Sequence, residues 1–439
     1  MLILLFFNYK WIPVIFFGIV GLEVSINLIA SLDNISYQKN FDYTNFTKNI
    51  SESTAYLHKY DSGLYRTEKT FTRSDDDPLS NDYYGISNFN SISDRSTINL
   101  IDYLGLENND NSFTNNFATP LSDSILGIKY NIVPIKNRRK LPAEQQIVFT
   151  SAFYRPDLIR NKVVKSFKQV QIRKNSSALP LIFISPSHKK INFYTSMPSA
   201  NQNTLFNSIV GKKINLFNSL YLTNPNKIEN IKSTKNVNEY QKINKSRIAT
   251  LSFKISSFQK GPYYLELPSN LDAESVSITV NGHHLNNQDL GISNKLLNIG
   301  YYSPNTPIKV TFKLNNEKTN LSGIRVLQFR EHEFNQIIRQ FNEKQPITQQ
   351  TSPISLKLNY TARRDKILNS TIPYSKNWLI LDNGKLLKTE KFAHTFLSAR
   401  LSKGKHHLTL IYIPFAFLIG LIISIVSLII IFILKPKKT

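Results

Sequence analysis

Hydrophobic residues form two long runs, one near each end of the chain. Residues 411–434 contain no charged side chain, and at the helical rise this run is roughly 36 Å long, enough to cross a hydrocarbon core of about 30 Å. Residues 11–32 form a second apolar run, in which Glu23 and Asn27 are the main polar interruptions. The pattern therefore predicts two transmembrane helices, at 11–32 and 411–434.

The N-terminal run has two interpretations. A secretory signal places positive charge before its apolar core and small residues at a cleavage site. Lys10 does precede the core, but Glu23 falls near its end and residues 29–31 fit a cleavage site poorly. We favour an uncleaved helix over a signal peptide. Residues 1–7 are too short to span a membrane and are similar to the end of a preceding helix, so we expect a longer parent protein.

Two polar residues lie inside the first predicted helix. Glu23 and Asn27 are one helical turn apart, on one face near its outer end. A carboxylate in a membrane is costly unless it faces protein or water, whereas a long side chain near the interface can extend to the headgroups. This face therefore either contacts a polar partner or lies at the interface.

The charge at the C-terminus predicts the orientation. Residues 435–439 form a basic tail after the second apolar run, and the positive-inside rule places such a tail in the cytoplasm. Two spanning helices then place both termini in the cytoplasm and the large domain between them outside the cell membrane.

The first part of that domain combines helical and strand patterns. Apolar residues at helical spacing predict a helix over 45–59, and a second helix over 95–104 follows a Ser93 or Asp94 cap and precedes Gly105. Strands are expected at 64–68 and 126–134. The acidic run 75–77 is interpreted as a solvated turn, because adjacent carboxylates do not converge on a cation.

Strand patterns dominate the rest of the domain. Residues 247–255 alternate apolar and polar side chains, as in a half-buried antiparallel strand, and the short strands that follow are spaced as in a β-sandwich. Two Asn-Gly steps, at 281–282 and 383–384, predict tight hairpins, and a further hairpin is expected across 402–405. These steps lie 102 residues apart, so the two blocks are either tandem related modules or unrelated hairpins.

The expected fold is therefore membrane-anchored and mainly β, with an α+β unit followed by tandem β-sandwich, jelly-roll-like modules in an extracellular domain flanked by two transmembrane helices. The predicted boundaries are 1–32 for a truncated helix end plus the first transmembrane helix (11–32), 33–135 for the α+β unit, 136–330 for the β-sandwich, 331–353 for a helix and linker, 354–410 for the membrane-proximal β module, 411–434 for the second transmembrane helix and 435–439 for the cytoplasmic tail.

Composition adds charge and redox information. The chain carries 54 Lys and Arg against 30 Asp and Glu, a net charge of +24. This excess either attracts anionic wall polymers or headgroups, or reflects a composition rich in Lys, Asn and Ile with scattered basic residues. The absence of cysteine excludes disulfides and thiolate ligands and suits the surface of a low-GC Gram-positive bacterium. No nucleic-acid partner is expected.

Candidate chemistry is sparse. The pairs His283-His284 and His406-His407 lie on predicted strands, where neighbours point to opposite faces and do not chelate one metal together. We predict no metal site, no cofactor and no catalytic residue. The loop containing Asn81, Tyr84 and Ser87 is either a sugar-binding surface or a plain turn, and Trp378 is either a stacking platform or a core residue.

The C-terminal motif order resembles one bacterial family. An Ile-Pro-Tyr step precedes Trp378, Asp-Asn-Gly-Lys and Leu-Ser-Lys-Gly-Lys-His follow, and the apolar helix opens with Pro414. This order resembles the C-terminus of YfhO-type membrane proteins. Further short matches keep the family's order, at 64–66, 81–87, 126–130, 178–180 and 202–203.

The resemblance implies a GT-C type glycosyltransferase, in which a long bundle of membrane helices uses a polyprenyl-phosphate sugar and has been linked to glycosylation of lipoteichoic acid. The bundle and its acidic outer loop have no counterpart in this sequence, so no catalytic carboxylate is assigned and we do not expect the chain to be active alone.

The resemblance implies that the outer domain binds or positions a cell-envelope glycan or lipoteichoic acid acceptor. A multi-spanning transferase bundle on a separately encoded chain is the expected protein partner. The alternatives are a stand-alone surface-anchored glycan-binding or adhesion module, or an inactive gene fragment. The candidate glycan-binding residues are Tyr65, Arg66, Asn81, Tyr84, Ser87 and Trp378.

Overall fold

A computed structural model describes residues 11–35, 37, 39–186, 191–222, 224–268, 271, 275–285 and 295–434. The predicted helix end at 1–7 and basic tail at 435–439 lie outside these residues. The described helices are α1 (Ile12–Asp33), α2 (Asn40–Tyr60), α3 (Asp77–Ser80), α4 (Arg95–Tyr103), α5 (Pro120–Ile125), α6 (Pro198–Val210), α7 (Glu331–Asn342) and α8 (Phe415–Leu434).

Strands make up most of the remaining regular structure, which confirms the mainly β class. The first part of the chain contains β1 (Arg66–Lys69), β2 (Phe71–Thr72), β3 (Asn88–Phe89), β4 (Ser112–Phe113), β5 (Ile128–Pro134), β6 (Ser151–Ala152), β7 (Lys162–Ser166), β8 (Val170–Lys174) and β9 (Ile182–Ser185). The middle contains β10 (Phe217–Tyr221), β11 (Lys227–Glu229), β12 (Ile231–Ser233), β13 (Glu239–Lys242), β14 (Ala249–Ser256), β15 (Gly261–Leu267), β16 (Val276–Val280), β17 (His283–His284), β18 (Lys295–Tyr302), β19 (Pro307–Leu314), β20 (Lys318–Asn320) and β21 (Arg325–Phe329). The last part contains β22 (Gln349–Ser352), β23 (Ser355–Ala362), β24 (Lys366–Pro373), β25 (Trp378–Asp382), β26 (Lys385–Leu387), β27 (Thr389–Phe392), β28 (Phe396–Leu401) and β29 (Gly404–Tyr412).

The two apolar helices lie at the ends of the described chain. α1 is long and apolar enough to cross a membrane, and none of its residues is buried against the rest of the described protein. Within α8, the apolar segment Phe415–Ile431 is shorter than α1. Glu23 and Asn27 are both exposed on α1.

The first core lies between α2 and a four-stranded sheet with the order β1-β5-β8-β7, in which β1 and β5 are parallel. Phe46, Ile50 and Leu57 project from α2 at helical spacing and share this core with Tyr130 and Ile132 of β5. Because β7 and β8 complete the sheet, this unit includes residues beyond the predicted boundary at 135.

The middle strands share a second core. Sheets β10-β21-β15-β18 and β11-β14-β19-β16-β17 both contribute buried side chains to it. On β14, Ala249, Leu251 and Phe253 are buried, as the alternating pattern predicts. Residues 182–185, which lie inside the predicted 136–330 segment, instead form β9 and pair with β24.

One sheet in the last part of the chain repeats the strand order of a middle sheet. The sheet order β22-β23-β29-β25-β26 has the same sequence of connections as β11-β14-β19-β16-β17. Both contain an Asn-Gly hairpin turn with two positive φ angles, 48° and 85° at Asn281-Gly282 and 48° and 80° at Asn383-Gly384. Tight two-residue hairpins need this left-handed backbone, which Asn and Gly adopt at low cost.

The predicted hairpin across 402–405 is wrong. β28 pairs with β24 and β27, whereas β29 pairs with β23 and β25. The segment between them crosses from one sheet to the other. Local alternation predicts both strands, but it contains no information on which strand each one pairs with.

Candidate functional site

A cavity of about 480 Å³ opens beside the C-terminal end of α2. Its other walls come from the segment around α3 and from β22 of the last β module. We call it the tyrosine groove, after three tyrosines that line it together with two carboxylates and an amide, namely Tyr65, Tyr83, Tyr84, Asp61, Asp82 and Gln350.

The end of α2 positions the first carboxylate. The helix ends at Tyr60 because Asp61 adopts an extended conformation. Its side chain accepts hydrogen bonds from Tyr130 Oη at 2.6 Å and the Gly63 N–H at 3.0 Å, and it lies 2.5 Å from Lys129 Nζ. Burial opposes the charge, but these three donors hold the pKa of Asp61 below its ordinary value. Asp61 is therefore a charged acceptor at neutral pH.

Tyr65 contributes a hydroxyl without a partner. Its ring packs edge-on against Tyr130, with centroids 5.0 Å apart. Among the described residues, its hydroxyl is buried and has no hydrogen-bond partner. Burial and the nearby Asp61 raise the pKa of Tyr65 to about 12. The hydroxyl stays protonated, and a ligand that accepts its hydrogen bond would satisfy a buried polar group.

Tyr83 is held by a buried ion pair. Its hydroxyl accepts a hydrogen bond from Lys69 Nζ at 2.5 Å, and Lys69 lies 3.3 Å from Asp77. Both charged side chains are only 3% exposed. Burial, with Glu68 and Asp77 nearby, raises the pKa of Tyr83 well above its ordinary value. The interpretation of 75–77 as a solvated turn is thus wrong at Asp77, because this side chain is buried and paired. Its partner, Lys69, lies eight residues earlier in the sequence and outside the acidic run.

Tyr84 joins two parts of the chain. Its hydroxyl accepts a hydrogen bond from Gln350 Nε2 at 3.0 Å, and its backbone carbonyl accepts one from the Thr67 N–H at 2.8 Å. The side chain is 54% exposed. One ring is thus fixed at its tip and base while much of its surface remains accessible to a ligand.

A buried glutamate shapes the segment that follows. Glu68 accepts hydrogen bonds from the backbone N–H groups of Ile86 at 2.5 Å and Ser87 at 3.1 Å. A Cβ at Gly85 would lie 2.6 Å from Pro78 Cγ and 2.8 Å from Glu68 Oε1. Only glycine fits there, so Gly85 lets the chain turn closely over α3 and direct Tyr83 and Tyr84 into the groove.

The groove brings together two of the six candidate residues, Tyr65 and Tyr84. Ser87 donates its hydroxyl to Glu68 at 3.2 Å. Asn81 is buried after α3, where its amide donates to the Asp77 carbonyl at 2.9 Å. Neither side chain lines the groove.

Arg66 also lies outside the groove. Its guanidinium donates to the Leu126 carbonyl at 2.7 Å and to both the Thr371 hydroxyl and carbonyl, at 2.8 and 2.9 Å. Burial lowers the pKa of Arg66 to about 10. This side chain connects β1 to β24, and its donors are used within the protein.

The last candidate residue, Trp378, lies on β25, which pairs with β29, the strand that precedes α8. Its ring centroid is 5.3 Å from that of Tyr412, to which it is also paired in the sheet. It is separate from the tyrosine groove. The side chains of the second histidine pair diverge, because His406 is buried against Asp382 while His407 bonds Asn359 on the exposed face.

Sequence reasoning missed Asp61, Tyr83 and Gln350. The Tyr83-Tyr84 doublet is a signal that could have identified the second tyrosine. Gln350 comes from the predicted linker, and no local pattern indicates its contact with a residue 266 positions away. In the part of the chain that the structure describes, no group of three or more His, Asp or Glu side chains could hold a metal ion.

A family model described as "Bacterial membrane protein YfhO" matches residues 1–424. The "Uncharacterized protein YfhO" of Bacillus subtilis (strain 168) is 38% identical over 84 residues, which are 19% of this chain and 10% of that protein. The chain therefore aligns with about a tenth of the curated relative's length.

Two solved structures share low sequence identity with the chain. The β-glucuronidase of Ruminococcus gnavus is 10% identical, with 37% of this chain and 29% of that chain covered and a TM-score of 0.16. The cycloisomaltooligosaccharide glucanotransferase of Paenibacillus sp., solved with cycloisomaltoheptaose, is 6% identical, with 44% and 45% covered and a TM-score of 0.17. These scores are too low to support an argument about fold or function.

Proposed function

The chain belongs to the YfhO family of bacterial membrane proteins, and from this we propose that its large domain binds or positions a cell-envelope glycan, such as a lipoteichoic acid acceptor, in the tyrosine groove. The sugar-transfer chemistry is assigned to the GT-C type membrane bundle that the family resemblance implies. The domain itself supplies recognition.

One observation carries this proposal. Tyr65, whose buried hydroxyl lacks a partner among the described residues, lines the same cavity as the exposed Tyr84 and the charged Asp61. A sugar offers an apolar C–H face to an aromatic ring and hydroxyls that both donate and accept hydrogen bonds. The groove thus contains a stacking surface, a donor and an acceptor, and its volume suits a small ligand.

The location of the groove supports an acceptor that is attached to the membrane. Gln350 pairs with Leu356, and Leu356 pairs with Leu410. Leu410 is two residues from Tyr412, the last residue of β29 before α8, a distance of about 7 Å along a strand.

We assign α1 and α8 as membrane-spanning helices. The domain between them then lies outside the cell and both termini lie in the cytoplasm. We also assign the β modules of this domain as tandem jelly-roll-like sandwiches.

Binding should be tested on the full chain in neutral-lipid nanodiscs, with an array of uncharged hexose and N-acetylhexosamine oligosaccharides as the probe. Tyr84→Ala should weaken binding about tenfold, which corresponds to roughly 1.4 kcal/mol. Tyr194→Ala and Tyr221→Ala are matched controls, because those tyrosines are also exposed and lie outside the groove.

Tyr65→Phe provides a sharper variant. It removes a hydroxyl that has no described partner, so the folded protein should be as stable as before or more stable. Glycan affinity should nevertheless fall about two- to twelvefold, from the loss of one hydrogen bond worth roughly 0.5–1.5 kcal/mol. Unchanged affinity in both Tyr84→Ala and Tyr65→Phe would exclude the groove as the glycan site.

A further inference from the structure

A second cavity, of about 540 Å³, lies where the first unit, the middle β module and α7 meet. Its walls include the 3₁₀ turn Pro156–Arg160, the paired strands β7 and β8, and one face of α7. We call it the cationic cleft, because five basic side chains line it, namely Arg160, Lys162, Lys174, Lys260 and Arg339.

The carboxylates of the cleft are already engaged. Arg155 Nη2 lies 2.7 Å from both Asp123 Oδ2 and Asp157 Oδ2, and these three side chains are at most 4% exposed. Glu331 accepts a hydrogen bond from the Tyr301 hydroxyl at 2.8 Å. Arg155 offsets one of the two aspartate charges and Glu331 keeps its own, so the five basic residues outnumber the two negative charges that remain.

The basic residues remain available. Arg160 contacts the Tyr301 ring and hydroxyl. The other four, Lys162, Lys174, Lys260 and Arg339, form no ion pair with any residue that the structure describes, and three of them are exposed. They can accordingly offer charged donors to a ligand.

Two of these lysines face each other in the sheet. Lys162 on the edge strand β7 is paired with Lys174 on β8. Like charges directly opposite each other destabilise a pair of strands. An anion bound between them would replace this repulsion with two favourable contacts, so the register of β7 is itself an observation that indicates an anionic ligand.

We propose that the cationic cleft binds a linear phosphodiester chain. Five cations around one open cavity exceed what a single phosphate group can contact, whereas a polymer can place successive phosphates beside successive side chains. Arg forks and Lys ammonium groups both bind phosphate oxygens. The inference rests on the proposed function in one respect, that the domain faces the cell envelope, and its residues are separate from those of the tyrosine groove.

The test uses the full chain in neutral-lipid nanodiscs and deacylated poly(glycerol phosphate) as the probe. The triple variant Lys162→Gln, Lys174→Gln, Arg339→Gln should lose at least about tenfold in affinity, since each charge-assisted contact is worth more than a neutral one. The matched control removes three exposed lysines elsewhere, as Lys212→Gln, Lys232→Gln and Lys235→Gln, and should lose less than about twofold through long-range charge alone.

Two further arms identify the ligand's source and chemistry. Vesicles that contain phosphatidylglycerol present the same phosphodiester as a lipid headgroup, and polyglutamate presents carboxylates at similar charge density. Cleft-dependent binding to the soluble polymer supports the proposal. Cleft-dependent binding to the vesicles alone would indicate a lipid headgroup and would overturn the assignment to a polymer. Equal losses in the two triple variants, or polyglutamate binding as tight as phosphodiester binding, would overturn it. Neither result depends on Tyr65 or Tyr84, so failure of the cleft and failure of the groove are distinguishable.

Discussion

Arg155→Met should destabilise the protein more than any surface charge change. The guanidinium bonds Asp157 through Nε at 2.9 Å and Asp123 through Nη2 at 2.7 Å. Asn115 and Asn298 each donate one further hydrogen bond to these carboxylates, at 3.1 and 2.8 Å. Methionine fills a similar volume but leaves two buried carboxylates without a cation.

The size of the expected stability loss follows from the burial of the ion pair. Removing one partner of a buried ion pair costs about 3–5 kcal/mol, because the remaining charge is uncompensated. Arg95→Met is the control, since Arg95 makes a similar 3.0 Å contact with Asp110 but the two side chains are 69% and 95% exposed. Exposed pairs contribute at most about 1 kcal/mol. The structure therefore predicts a difference of at least about 2 kcal/mol between the two variants.

Urea unfolding of the full chain in nanodiscs, followed by tryptophan fluorescence, measures this difference. The loss in Arg155→Met should also depend on pH. Burial raises the pKa of Asp123, and Arg155 opposes that rise, so the variant raises the pKa further. A carboxyl whose folded pKa lies above its unfolded value becomes more stabilising as pH falls. The loss in unfolding free energy caused by Arg155→Met should therefore be smaller at pH 5 than at pH 8. A loss equal to that of Arg95→Met at every pH would refute the reasoning.

Two further changes test how the groove is built. Gly85→Ala should destabilise the protein by about 1–3 kcal/mol, because the new methyl group overlaps Pro78, and it should also weaken glycan binding; a neutral effect on both stability and binding would contradict the close approach. Thr371→Val removes one acceptor from the buried Arg66 guanidinium and should cost about 1–3 kcal/mol in thermal or urea unfolding. Thr361→Val, at an exposed position of β23 in another sheet, should change stability by less than about 0.5 kcal/mol.

Local patterns predicted the elements better than their assembly. The cap at Asp94, the periodic apolar residues of α7 and the two Asn-Gly turns are all properties of a few adjacent residues, and all three are present in the structure. The pairing of β9 with β24 joins residues more than 180 positions apart. Alternation alone contains no signal for such a partner.

The candidate site residues show the same difference between what local sequence predicts and what tertiary contacts decide. Tyr84 was predicted from a polar and aromatic loop, and it does line a cavity. Arg66 and Ser87 come from equally polar segments, yet each is engaged by a residue or backbone group of the protein itself. Which polar side chains face a ligand and which satisfy buried groups depends on tertiary contacts, such as the one between Tyr84 and Gln350.

The most direct measurement is cysteine labelling in intact cells, since the chain contains no cysteine of its own. Leu79 lines the groove and is 86% exposed, so Leu79→Cys should react with a membrane-impermeant maleimide, and a bound oligosaccharide should slow that reaction. Lys438→Cys should react only after the membrane is permeabilised. Labelling of Leu79→Cys only after permeabilisation would contradict the account, because the groove would then face the cytoplasm.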